Sequence, residues 1–132
     1  HEDRDDAFCL RMAERVGARA GDVLAFGHTH VPWQRRLEGI HFVNAGSVGR
    51  PKDGDPRACY VVLEMGPGSG WTGVREGDAG PGGSVAGSVE APVRVEFVRV
   101  PYDVERAVRG IEQSDLPDDF GTILRTGGSL EG

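Results

Sequence analysis

The chain has 132 residues, 38% of them hydrophobic, and a formal net charge of −6. This supports one small domain with a real core but not two, and nothing global marks nucleic acid or an anionic membrane as the partner. No stretch approaches the roughly 18 apolar residues of a membrane-spanning helix.

Residues 5–16 read as a helix, with Asp5 or Asp6 to cap it and Phe8, Met12 and Val16 forming an apolar stripe. Gly17 and Gly21 mark its exit. A helix start so near His1, with no initiator Met, leads us to expect a piece of a longer polypeptide. The opening His1-Glu2-Asp3-Arg4-Asp5-Asp6 does not read as a signal peptide. Val23-Leu24-Ala25-Phe26 is a continuous apolar run, the pattern of a strand buried on both faces. Gly27-His28-Thr29-His30 follows at once. Residues 34–37 and 40–44 predict a hairpin across Glu38-Gly39. His41 alternates with Ile40 and Phe42, as a partly exposed structural histidine would.

Residues 45–56 are dense in turn formers, and residues 58–64 read as a strand. Residues 66–91 hold nine glycines and little apolar periodicity, so they read as a Gly-rich insertion loop between two strands. Residues 93–100 alternate, with Val93, Val95 and Phe97 on one face. Asp103 caps a helix with Val104, Ala107, Val108 and Ile111 on its buried stripe, and a last short helix runs over 117–125. The tail, 127–132, is expected to fray. Cys9 and Cys59 each lie in an apolar run and read as buried free thiols, which favours a cytoplasmic setting. The order of elements predicts a layered α/β domain, or half of one.

The chemistry concentrates in His28 and His30. On an extended segment, residues two apart face the same side, so both imidazoles would enter one site beyond the strand's carboxyl end. Neutral imidazole is a good ligand for Zn, Mn, Fe or Ni. Asn44, Gly46 and Ser47 could line such a site, because backbone N–H groups in a Gly-Ser turn bind phosphate oxygens. Equally, Asn44 could fix the turn through its side chain. Arg50 and Lys52 read as solvated charges or as attractors of an anionic substrate. Asp53, Asp55, Asp118 and Asp119 read as turn and helix-start residues.

Gly27-His28-Thr29-His30 after an apolar strand, followed by Phe-Val-Asn44-Ala45-Gly46-Ser47-Val48-Gly49-Arg50-Pro51, resembles the last motif region of bacterial cytoplasmic calcineurin-like metallophosphoesterases. The strand Arg-Ala-Cys-Tyr-Val-Val-Leu-Glu and the junction Val-Arg-Val-Pro-Tyr-Asp add to the likeness, which covers roughly residues 5–65 and 93–125. The resemblance implies an α/β fold, with residues 1–132 as the C-terminal half of a layered β-sandwich. It implies hydrolysis of phosphomonoesters or phosphodiesters by two divalent ions (Mn, Fe, Zn, Ni or Mg), with His28 a ligand of one ion and His30 of the other. The family's remaining ligand motifs and its catalytic acid belong to the N-terminal part of the domain. This chain alone is therefore expected to bind metal poorly and catalyse little. A cupin also uses His-x-His, but its Gly, Glu and Gly spacings are all missed: here Gly21 precedes His28, and Glu38 and Gly46 follow His30, at the wrong intervals. The other alternative is a scaffold that keeps the phosphoesterase fold and works through protein contacts.

Overall fold

A computed structural model describes residues 5–66 and 93–128. The insertion loop, apart from its first residue, and the last four residues of the tail lie outside the described residues. The elements run α1 (Asp6–Val16), β1 (Val23–Phe26), β2 (Trp33–Leu37), β3 (Ile40–Asn44), β4 (Ala58–Glu64), β5 (Arg94–Val100), α2 (Val104–Glu112) and α3 (Asp119–Thr126). This is the mixed α/β order that the sequence predicts.

Asp5 caps α1 by accepting from Ala7 N, and Gly17 ends it in the left-handed region at φ 69°. The helix packs Cys9 and Ala13 onto Ile40 and Phe42, with Leu24, Phe26, Trp33 and Leu37 around them. Phe26 and Trp33 meet edge to face at 5.2 Å. Phe42 is fully buried; its removal from water contributes about 2–3 kcal/mol.

The first sheet has the order β1-β3-β2. β1 runs parallel to β3, with Phe26 opposite Asn44. β2 and β3 are antiparallel, with Leu37 opposite Ile40. Glu38 and Gly39 form the two-residue turn at φ 49° and 77°, the pair of positive values a type I′ hairpin demands. Two expectations change here. β3 is central and buried at every position, so His41 is 6% exposed rather than partly exposed. β1 is an outer strand of this sheet with Ala25 exposed, so it is not covered on both faces.

β4 and β5 pair in a second sheet. The chain divides into two compact units, residues 1–62 with 96–132 and residues 63–95. In the second, Arg94 Nη1 lies 3.6 Å from Glu64. In the first, α2 packs on α3 around buried Val108, against which Gly121 sits so closely that a Cβ would fall 3.1 Å from Val108 Cγ1. Both cysteines are buried thiols outside any disulfide, as expected. Burial raises the Cys59 thiol pKa. The start of the tail does not fray: Gly54 N donates to Gly127 O at 2.9 Å, and Gly127 is buried. A Cβ on Gly127 would fall 2.5 Å from Asp55 N, so glycine is what allows this seating.

Candidate functional site

The parallel pairing of β1 with β3 brings two loops side by side. Phe26 O accepts from Ala45 N at 2.9 Å. From there one strand leads into residues 27–30 and the other into residues 45–52. His28 and His30 therefore sit directly beyond the carboxyl end of β1, where α/β sheets hold their ligands.

The segment is not extended. His28 has φ 81° and His30 has φ 64°. A side chain with a Cβ in that region costs about 1–2 kcal/mol, and such residues persist where surrounding bonds over-determine them, often at functional sites. Strand alternation therefore does not govern this loop: two left-handed residues flanking Thr29 set its course. His28 is exposed and His30 half-buried.

The bonds that impose this shape come from the last residue of β3 and from the second loop. Asn44, fully buried, donates from Nδ2 to Gly27 O at 3.2 Å and to Thr29 Oγ1 at 2.9 Å, and accepts from Gly46 N at 3.0 Å. Lys52 N donates to His30 O at 3.1 Å. His30 Nδ1 lies 2.7 Å from Arg50 O. A carbonyl only accepts, so Nδ1 carries the hydrogen, and in the neutral ring Nε2 keeps its lone pair. This is the arrangement by which a ligating histidine is oriented.

Of the two readings of Asn44, Gly46 and Ser47, the turn role accounts for the bonds seen. Gly46 N donates to Asn44 Oδ1, Asn44 Nδ2 donates to the histidine loop, and Ser47 Oγ accepts from Arg50 N at 2.9 Å. Arg50 places its guanidinium 4.7 Å from the centre of the Phe120 ring, while Lys52 is exposed. Asp53 and Asp55 are tied to arginines: Arg99 pairs with Asp53, and Arg57 with Asp55. The bond from Arg57 holds the Asp55 carboxyl down at about 2. Asp118 and Asp119 stand at the start of α3. His41 Nε2 bonds Gln34 Oε1 at 2.9 Å and belongs to the sheet.

Sequence reasoning did not reach Thr29, the Arg50 carbonyl or Phe120. Thr29 offered the signal of a hydroxyl between two candidate ligands. A main-chain acceptor and a ring from a distant helix leave no signal in a single sequence.

Among the described residues no group of three or more His, Cys, Asp or Glu side chains could hold a metal ion. Two imidazoles, one with Nε2 available by virtue of its Nδ1 bond, fit part of the donor set of a divalent ion.

Residues 1–67 match the sequence model of the calcineurin-like phosphoesterase superfamily domain. An uncharacterized protein of Methanocaldococcus jannaschii is 27% identical over 122 residues, covering 81% of this chain and 40% of that protein. The crystal structure of a metallophosphoesterase from Sphaerobacter thermophilus superposes with a TM-score of 0.54 at 25% identity, covering 80% of this chain and 41% of that one. The chain thus spans about two fifths of the length of these relatives.

Proposed function

The chain belongs to the calcineurin-like phosphoesterase superfamily, and from that premise we propose that it forms the C-terminal portion of a metal-dependent hydrolase of phosphomonoesters or phosphodiesters. One observation carries the reading: His30 is held with Nδ1 on the Arg50 carbonyl, 2.7 Å away, which leaves Nε2 to a ligand. His28, two residues earlier in the same strained loop, supplies the second imidazole.

Residues 1–132 in this reading are one incomplete domain, with the Gly-rich stretch 66–91 as its insertion. His28 and His30 each serve one of two divalent ions, Mn, Fe, Zn, Ni or Mg. Bound divalent ions supply a hydroxide-forming site and neutralise charge on the phosphoryl group. The chain's own residues do the positioning. Asn44 holds the histidine loop from beneath, while Gly46 and Ser47 border the phosphate from the adjoining turn. The remaining ligands come from the part of the domain that this chain does not include, so the chain alone is inactive. Among the described residues no helix is long and apolar enough to cross a membrane, and the reading places the enzyme in the cytoplasm.

The test is a metal screen on the full-length protein with a nitrophenyl phosphate monoester and diester. The reading requires hydrolysis that divalent ions restore after chelation. Metal-independent turnover would refute it. Full metal occupancy with no turnover on any ester would favour the scaffold alternative.

A further inference from the structure

The α2–α3 pair is remote in sequence from the histidine loop, yet α3 reaches it by two routes, each one residue deep. Through side chains, the Phe120 ring lies under the Arg50 guanidinium at 4.7 Å. The carbonyl of that same Arg50 accepts from His30 Nδ1. Arg50 Nε is buried without a hydrogen-bond partner among the described residues, so the ring face is the contact that seats the guanidinium. Through the main chain, Gly128 follows α3 at φ 113°, and a Cβ there would fall 2.5 Å from Lys52 Cα. Lys52 N in turn donates to His30 O. Pro51, between the two contact residues, is buried.

From this juxtaposition we infer that α3 is a brace for the metal site, and that Phe120 and Gly128 are positioning residues for His30. The helix fixes the 50–52 segment, which holds His30 at both its ring and its main chain, and so selects the tautomer whose Nε2 would be left to a ligand. The inference rests on the metal-site reading for its role and on His30 alone for its geometry.

The experiment follows His30 in full-length protein labelled with ¹⁵N at histidine, first without metal and then in a Zn²⁺ titration. Wild type shows His30 in the Nδ1–H tautomer. Phe120→Ala mixes in the Nε2–H form and weakens Zn²⁺ affinity about tenfold, the scale typical of losing an outer support of a ligand. Phe120→Tyr keeps the ring and restores both readouts. Arg50→Met removes the guanidinium, keeps the carbonyl, and reproduces Phe120→Ala; it also serves if Phe120→Ala does not fold. The His41 signal, from β3, stays in place throughout and reports an intact sheet. An unchanged His30 tautomer and affinity in Phe120→Ala or Arg50→Met would overturn the brace. Absence of Zn²⁺ binding by wild type would overturn the metal reading instead, while the tautomer in metal-free protein still decides the brace.

Discussion

Asn44 donates an amide hydrogen to Thr29 Oγ1 at 2.9 Å, across 15 residues of sequence. With the bond to Gly27 O, it fastens the end of β3 to the loop that carries both histidines. Asn44→Ala leaves these half-buried acceptors without their donor and should cost about 1–3 kcal/mol. Asn44→Asp should do no better, because an ionised carboxylate cannot donate. Urea unfolding midpoints measure both. A loss below about 0.5 kcal/mol in Asn44→Ala would show that the loop does not depend on this side chain.

The hairpin turn offers a test with opposite signs at adjacent residues. Glu38 sits at φ 49°, a conformation that asparagine adopts more readily, so Glu38→Asn should stabilise by a few tenths to about 1 kcal/mol. Gly39 is at φ 77°, and a Cβ there would fall 2.8 Å from Ala20 Cβ. Gly39→Ala should therefore destabilise by about 1 kcal/mol or more. Thermal unfolding of the two variants separates them.

The same turn illustrates what a single sequence conveys. Glu-Gly between two short apolar runs was enough to place the hairpin, and the acidic caps Asp5 and Asp103 placed two helix starts, because each signal is local. The environment of His41 was not legible: alternation assumes that one face of a strand meets solvent, and β3 is covered on both. Neither was the cover of β1, since an apolar run reports that a strand needs neighbours, not where they come from. At the site, sequence pointed to His28 and His30 but not to their backbone. Positive φ at two histidines runs against their own preference and is set by Asn44 at the end of β3 and by Arg50 and Lys52 from the next loop.

Arg99 joins β5 to the turn at Asp53. Both side chains are 17% exposed, and Arg99 also lies 3.9 Å from Asp55. Arg99→Met would take from the Asp53 carboxylate the arginine that pairs with it, while Asp55 keeps its bond to Arg57. It should cost about 2 kcal/mol, read as a lower urea midpoint with unchanged slope.

Acid stability should fall in two steps of different origin. Burial, and then Arg36, lower the His41 pKa below its ordinary 6.5. The unfolded chain therefore takes up a proton that the native state refuses, and stability declines as pH drops below about 6.5. Asp55 runs the other way in cause but not in sign. Its carboxyl is held at about 2 against an ordinary 3.8, so its contribution is complete above 3.8 and is lost as pH falls from there towards 2. Urea midpoints across this range should show both declines, and His41→Gln should abolish the upper one alone. An unchanged upper decline in that variant would assign it to another group.

The most direct test of the central claim is turnover of the full-length protein on a nitrophenyl phosphate ester with saturating Mn²⁺, compared across three histidine variants. His28→Ala and His30→Ala should each lower turnover by about 100-fold or more, because ions that act as a pair fail together. His41→Gln, in the sheet, should stay within about threefold of wild type, a difference below 1 kcal/mol. Wild-type turnover in both His28→Ala and His30→Ala would contradict the account and leave the Gly-His-Thr-His loop as a structural turn.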